Sequence, residues 1–84
     1  MEYRIHYADV FEKQVKKIRT RDPVLYDRLE KKVLEISEKP EHYKPLRGNL
    51  AGTRRVHIDP FVLVYEIAGD TIIFHYIKHH DKAY

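Results

Sequence analysis

The chain contains no cysteine, and it has only three glycines, four prolines and one methionine among its 84 residues. Because thiols are absent, disulfides, zinc ribbons and cysteine nucleophiles are all excluded. No apolar run approaches the roughly 18 residues that a membrane span needs, and the first residues lack the apolar segment of a secretory signal peptide. We therefore expect a cytoplasmic protein whose stability comes from side-chain packing.

The length allows a single domain over residues 1–84, because a second hydrophobic core normally requires roughly 100 residues or more. Hydrophobic residues make up 43% of the chain and charged residues 35%, a balance that is apolar enough to fold and too polar for a membrane protein. A domain of this size buries only about 60% of the surface that its unfolded chain exposes. A partner chain would therefore add to its stability.

Acidic residues are missing from one stretch of the sequence. The whole chain carries 16 Lys and Arg against 13 Asp and Glu, which gives a net charge of +3. Positions 42 to 58 contain no Asp or Glu. Six basic or histidine side chains occupy that stretch: His42, Lys44, Arg47, Arg54, Arg55 and His57. A basic patch of this kind favours an anionic partner.

Two helices are predicted in the first half of the chain. Asp9 and Glu12 have the spacing of a capping box, and the apolar periodicity that follows predicts a short helix to about residue 19. Asp22 and Pro23 suit the N-cap and the first position of a second helix. That helix should end before Pro40, and the two helices should form a hairpin.

Four strands are predicted around this hairpin. Residues 3–7 alternate apolar and polar, so we expect a half-buried strand with Tyr3, Ile5 and Tyr7 facing the core. The second half of the chain predicts strands over 53–58, 61–68 and 71–79, joined by tight turns at Asp59-Pro60 and Gly69-Asp70. Residues 61–65 are apolar on both faces, which is typical of a central strand. The predicted fold is an α+β domain of order β-α-α-β-β-β, with a helical hairpin packed on a mostly antiparallel four-stranded sheet.

Basic surfaces that carry histidines suit the cleavage of RNA by its own 2′-hydroxyl. That reaction needs a base for the 2′ proton, a cation for the charge on the phosphorane, and an acid for the departing 5′ oxygen. A histidine can serve as base or acid because its reference pKa of about 6.5 lies near working pH.

Two parts of the sequence bring such side chains together. On the strand 53–58, alternation places Arg55 and His57 on one face and Arg54 on the other. The C-terminal eight residues hold two His, two Lys and a terminal tyrosine, Tyr84, which could stack on a base. The alternatives are an exposed strand face in a basic protein and a solubilising polar tail.

No metal site is predicted from the histidines. His79 and His80 are neighbours on a strand and should point to opposite faces. His75 should share a face with His79, but two positions four residues apart on a strand lie about 13 Å apart, too far to share one ion.

The length, the element order β-α-α-β-β-β and three segments in order resemble the RelE/ParE toxin superfamily over essentially the whole chain, and more narrowly its RelE, YoeB and YafQ-like branches. The three segments are the run Leu50 to Ile58, the strand Leu63 to Ile67, and the ending His80 to Tyr84. The resemblance implies an mRNA endoribonuclease that works in the ribosomal A site and needs neither cofactor nor metal. RelE proper has an arginine at the position of Val62, and this chain departs from that pattern.

The resemblance also implies residue roles. His57 and His80 would share the general base and acid roles, Arg54 or Arg55 together with Lys78 would stabilise the phosphorane, and Tyr84 would stack on the scissile nucleotide. Further RNA contacts would come from Lys44, Arg47, His79 and Lys82. The implied partners are a cognate acidic antitoxin of the RelB type, the ribosome and mRNA. The alternatives within the same superfamily are a ParE-like inhibitor of DNA gyrase and a catalytically inactive RNA-binding module.

Overall fold

The computed structural model describes residues 2–43 and 52–80. The elements in chain order are β1 (Arg4–Tyr7), α1 (Asp9–Arg21), α2 (Pro23–Glu38), a 3-10 turn (Pro40–His42), β2 (Thr53–Ile58), β3 (Phe61–Ala68) and β4 (Thr71–His79). The predicted α+β class and the order β-α-α-β-β-β are confirmed. Neither helix in the described ranges combines the length and hydropathy that a membrane span requires.

The two helices begin in different ways. The prediction for α2 is confirmed: the Asp22 side chain accepts a hydrogen bond from the Leu25 backbone N–H at 3.1 Å, and Pro23 is the first helical residue. The capping box predicted for α1 is wrong, because Ala8 is the N-cap and makes no side-chain cap bond. Asp9 and Glu12 lie instead in the first turn of α1, where their negative charge favours the positive end of the helix dipole.

The sheet has the strand order β1-β4-β3-β2. The last three strands form an antiparallel meander, whereas β1 runs parallel to β4 and closes the other edge. Gly69 in the β3–β4 turn has φ of 63°, a conformation that favours glycine. As predicted, β3 is a central strand, with neighbours on both sides.

The main hydrophobic core lies between the helices and one face of the sheet. Its buried side chains come from both helices and from the last three strands: Phe11, Leu25, Leu29, Ile36, Val56, Ile58, Leu63, Tyr65, Ile72, Phe74 and Ile77. This core fixes which residues of each strand point towards the helices and which point away.

β1 is less buried than the alternation predicts. Ile5 and Tyr7 point towards the helices as expected, but they remain 42% and 40% exposed. Tyr7 stacks on Phe11 and Phe74, with ring centroids 5.8 and 5.7 Å apart, while its outer side stays open. The expectation of a core position is therefore wrong for both residues, because β1 is an edge strand beside an open groove.

The face of the sheet that points away from the helices, here called the outer face, has its own buried centre. Val62 and Val64 on β3 are only 2% and 4% exposed, although they lie outside the helix-side core. Strand β3 is therefore buried on both faces, as its sequence predicts.

Candidate active site

The register of the sheet places polar side chains in rows across the outer face. In one row, Val62 pairs with His57 on β2 and with Lys78 on β4. In the next row, Val64 pairs with Arg55 on β2 and with Tyr76 on β4. Neighbouring strands lie about 4.8 Å apart, so each row spans about 10 Å. The two valines thus form an apolar floor between Arg55 and His57 on β2 and Tyr76 and Lys78 on β4.

His80 joins this group from the end of β4. Its ring centroid lies 5.4 Å from that of His57, and both side chains are exposed. The His80 backbone N–H donates a hydrogen bond to the Pro60 carbonyl at 2.8 Å, which ties the end of β4 to the β2–β3 turn. The structure therefore brings together the two histidines that the sequence singled out from distant segments.

The β2–β3 turn is held from the helical side as well. Arg28 on α2 donates from Nη1 to the carbonyl oxygen of Asp59 at 2.7 Å. Together with the bond from His80, this contact fixes the turn that lies between the two histidines. Sequence reasoning missed Arg28, because a single arginine on a charged helix gives no signal of a long-range partner.

Gln14 on α1 anchors the part of β4 that carries the site. Its side-chain amide donates to the Ile77 carbonyl and accepts from the Ile77 N–H, both at 2.7 Å. β1 reaches only to the pair Tyr7 and Phe74, so the backbone of Ile77 lies beyond the edge strand, and Gln14 pairs with it instead. Ile77 stands between Tyr76 and Lys78, so this contact orients both. A single glutamine in a helix sequence does not predict a hydrogen bond to the backbone of a distant strand.

Arg54 and Arg55 have different surroundings. Arg54 points to the helix side, where Nη1 donates to the carbonyl oxygen of Tyr43 and, at 3.4 Å, to that of Glu41. Arg55 is exposed on the outer face, two residues from His57 on the same strand. Of the two arginines that the resemblance offered for the phosphate, only Arg55 shares a face with the histidines.

The contacts of Arg54 belong to a larger attachment of the segment after α2. The buried Tyr65 hydroxyl donates to the Pro40 carbonyl at 2.6 Å. Burial raises the pKa of Tyr65 to about 12, although the nearby Arg54 charge acts in the opposite direction. Tyr65 and Arg54 thus fasten residues 40–43 to the sheet, which gives Arg54 a structural role.

The other predicted site residues lie elsewhere. His79 pairs in register with Phe61 and packs against its ring at a centroid distance of 5.4 Å, on the side of the sheet opposite to Lys78. It is therefore separated from the outer face. Four predicted residues lie outside the described part of the chain: Lys44, Arg47, Lys82 and Tyr84.

His75 corrects another expectation. It does not share a face with His79, because β4 contains a bulge: Tyr65 pairs with Phe74 whereas Val64 pairs with Tyr76, so His75 is the extra residue. His75 turns to the outer face and its Nε2 lies 2.8 Å from Glu66 Oε1.

The chemistry available on the outer face is acid–base and cationic. Two adjacent imidazoles can take and donate protons, and Arg55 on β2 and Lys78 on β4 can neutralise an oxyanion. Within residues 2–43 and 52–80, no three His, Asp or Glu side chains cluster in a way that could hold a metal ion. The arrangement suits an anionic substrate such as a phosphodiester.

A second surface lies on the helix side, beside the edge strand. A groove between β1, α1 and α2 is lined mainly by apolar side chains: Ile5, Tyr7, Phe11, Val15, Leu29, Val33 and Leu34. Leu34 is 63% exposed at its rim. An open apolar groove of this kind can accept an apolar segment of another chain.

Comparison with known proteins gives consistent similarities. The family model described as the ParE toxin of type II toxin–antitoxin systems, parDE, matches residues 5–84. A protein of Methanocaldococcus jannaschii with the name "Putative toxin RelE4" is 39% identical over 85 residues, which cover 98% of this chain and 90% of that protein.

Solved structures share the fold at lower identity. A YoeB/ParE toxin from Agrobacterium tumefaciens superposes with a TM-score of 0.79 at 14% identity, over 92% of this chain and 98% of that chain. A chain of the DinJ–YafQ toxin–antitoxin complex of E. coli superposes with a TM-score of 0.78 at 20% identity, over 100% and 99% of the two chains. At such identities the likeness is one of fold.

Proposed function

The chain belongs to the ParE toxin family of type II toxin–antitoxin systems, and on this premise we propose that it is a ribosome-dependent endoribonuclease that cleaves mRNA in the A site. The observation that carries the proposal is the pairing of His57 with His80, 5.4 Å apart, on the face of the sheet that also carries Arg55 and Lys78. The protein would act in the cytoplasm, where mRNA is translated.

In the proposed reaction, the 2′-hydroxyl oxygen attacks the neighbouring phosphorus. One imidazole takes the 2′ proton as the general base, and the other donates a proton to the departing 5′ oxygen. The bond from phosphorus to the 2′ oxygen forms as the bond to the 5′ oxygen breaks. The products are a 2′,3′-cyclic phosphate and a free 5′-hydroxyl, and proton exchange with water restores both histidines.

Arg55 and Lys78 are proposed to stabilise the phosphorane. They stand on β2 and β4, on either side of the valine floor, so both can approach non-bridging oxygens of one phosphate. Preorganised cations at the developing charge typically contribute a factor of about 10² to 10³. Arg54 and His79, which the resemblance also offered, face the other side of the sheet and are left out of this group. Lys44, Arg47, Lys82 and Tyr84 remain proposed RNA contacts.

The proposal is tested with programmed ribosomes that carry a defined mRNA, beside the same mRNA without ribosomes. We expect cuts within the A-site codon, mapped by primer extension, only when ribosomes are present. His57→Ala and His80→Ala should each reduce the rate by about 10² to 10⁴. Their thermal unfolding should match that of the wild type, because both side chains are exposed. Intact mRNA in both tubes from folded wild-type protein would overturn the proposal.

Inhibition of DNA gyrase is a second candidate function, and two observations favour it. The family model that matches this chain is that of the ParE toxin. In addition, an apolar Val62 lies between His57 and Lys78, at the position where RelE proper has an arginine. A supercoiling assay separates the two functions. Equal inhibition of gyrase by the wild type and by His80→Ala, with mRNA left intact, would favour this function. RNA binding without either activity would indicate an inactive RNA-binding module.

The proposed partner is an acidic antitoxin whose apolar segment fills the groove between β1 and the helices. Three observations support it: the exposed apolar lining of the groove, the net charge of +3, and the DinJ–YafQ toxin–antitoxin complex, which contains this fold. Exposed edge strands such as β1 also accept extended partner segments.

A pair of matched variants tests this surface. Leu34→Asp places a charge at the rim of the groove, whereas Val24→Asp changes an equally exposed α2 residue, 71% exposed, that does not line it. After co-expression with the proposed acidic antitoxin, the Val24 variant should co-purify with that antitoxin and the Leu34 variant should not. Equal recovery of both would contradict the assignment, and so would a dimer of the free toxin that only Leu34→Asp dissociates.

A further inference from the structure

Tyr76 differs from every other tyrosine that the structure describes. Four of the others donate a hydrogen bond from the hydroxyl: Tyr3 to Glu41, Tyr26 to Glu30, Tyr43 to Glu35 and Tyr65 to Pro40. Tyr7 stacks on two phenylalanines. In the described part of the chain, Tyr76 makes no hydrogen bond through its side chain and stacks on no aromatic ring, and the residue is 38% exposed. Tyr76 thus lacks the hydroxyl bond or the ring stacking that each of the other described tyrosines has.

The position of Tyr76 is next to the candidate active site. It pairs with Val64, which in turn pairs with Arg55, in the row adjacent to His57, Val62 and Lys78. Lys78 lies two residues further along β4, about 6.7 Å away along the strand, and its Nζ is 5.9 Å from the Tyr76 ring centroid. An open ring thus stands beside a cation, one row along the sheet from His57.

We propose that Tyr76 is a stacking platform for a nucleobase of single-stranded RNA, next to the phosphate that the histidines attack. This inference rests on the proposed function, which supplies RNA as the ligand. The stacking site at Tyr76 is separate from the one that the resemblance implies for Tyr84. Every base offers a π-face to an aromatic ring, so the platform would accept any base. Lys78 beside the ring would bind the phosphate of the same nucleotide. Stacking would then fix the ribose and align its 2′-hydroxyl with the scissile bond, which makes Tyr76 a positioning residue.

The absence of tryptophan from this chain allows a direct test. Tyr76→Trp introduces a single indole whose fluorescence reports stacking. The probe is a short single-stranded RNA with 2′-O-methyl sugars, which cannot be cleaved by its own 2′ oxygen. We expect quenching on addition of this RNA, and no quenching by an abasic oligonucleotide that carries the same phosphates. Leu34→Trp, in the groove on the other side of the molecule, is the matched control and should not respond.

Two further variants separate stacking from a structural role. Tyr76→Leu should weaken binding of the labelled RNA about 5- to 150-fold, the range expected for loss of one stacked base. Tyr76→Phe keeps the ring and should bind within about threefold of the wild type. On ribosomes, the Leu variant should lower kcat as well as raise KM, because positioning is lost with binding. Thermal unfolding of both variants checks that the fold is intact.

The outcomes distinguish this inference from the proposed function. If the Trp reporter is quenched but mRNA on ribosomes is not cleaved, the stacking role of Tyr76 is supported and the proposed nuclease activity is refuted. If the wild type cleaves mRNA while the reporter does not respond and the Leu variant is fully active, the stacking role of Tyr76 is refuted and the nuclease activity is supported. RNA that fails to bind the wild type at all in an anisotropy titration would also overturn the platform.

Discussion

Two adjacent arginines should respond in opposite ways to truncation. Arg54→Ala removes the donor to the carbonyl oxygens of Tyr43 and Glu41 on the helix side. Arg55→Ala removes an exposed cation beside His57. Because the two residues are neighbours of identical chemistry, each variant is a control for the other.

The expected magnitude for Arg54→Ala is a loss of stability. A hydrogen bond from a charged donor contributes about 1.5 to 3 kcal/mol, and the longer bond to Glu41 adds little, so we expect a loss of about 2 to 3 kcal/mol. For a domain of this size, each kcal/mol shifts Tm by about 4 to 8 °C. The Tm of the Arg54 variant should therefore fall by about 10 to 20 °C, while cleavage measured below that transition should stay close to the wild-type rate.

Arg55→Ala should show the reverse behaviour. Substitution of exposed side chains seldom changes the free energy of unfolding by more than about 0.5 kcal/mol, so Tm should hardly move. Loss of a cation that stabilises the phosphorane should reduce cleavage by about 10² to 10³. Arg55→Lys, which keeps the charge, should recover part of that activity.

The assays are thermal unfolding by circular dichroism and cleavage of mRNA on programmed ribosomes. Cleavage is measured at about 25 °C, where we expect both variants to be folded. Wild-type cleavage by Arg55→Ala would refute its placement in the site. An unchanged Tm for Arg54→Ala would refute the structural role of that arginine.

Two more predictions concern the supports of the site. Gln14→Leu should leave the Ile77 backbone without its hydrogen-bond partner, which should lower the free energy of unfolding by about 1 to 3 kcal/mol. It should also lower kcat, because the strand segment that carries Lys78 loses its anchor. A variant with wild-type Tm and kcat would contradict this role. Tyr65 has a folded-state pKa of about 12, raised by burial above its usual value of 10.0. Its contribution to stability is therefore complete below about pH 10 and is lost as the pH rises towards 12, by up to about 2 to 3 kcal/mol. Denaturant unfolding across this range should show that decline, and Tyr65→Phe, which cannot ionise, should show a smaller one.

The patterns that could be predicted from the sequence are those set by neighbouring residues. Asp22 and Pro23 mark the start of α2 because a cap bonds within one helical turn. The Gly69-Asp70 turn is likewise local, since it needs one residue with positive φ. The alternation of β2 separates Arg55 from Arg54 correctly because this strand is regular. Each of these features depends on a few consecutive positions.

The features that could not be predicted depend on distant parts of the chain. Alternation in β1 shows that Ile5 and Tyr7 share a face, but whether that face is covered depends on how closely the helices approach it. Gln14 and Arg28 bind backbone atoms 63 and 31 positions away, and neither has a local pattern that marks it. These contacts follow from the packing of the hairpin on the sheet.

The bulge in β4 is the feature on which the candidate site depends most. In a regular strand, Phe74 and Tyr76 would point to the same side, so Tyr76 would face the helices. With His75 as an extra residue, Phe74 and Ile77 both face the helices, and Tyr76 and Lys78 both face outwards. A bulge shifts the face of every residue on one side of it. The same irregularity therefore completes the core and brings Lys78 and Tyr76 onto the face that carries Arg55 and His57.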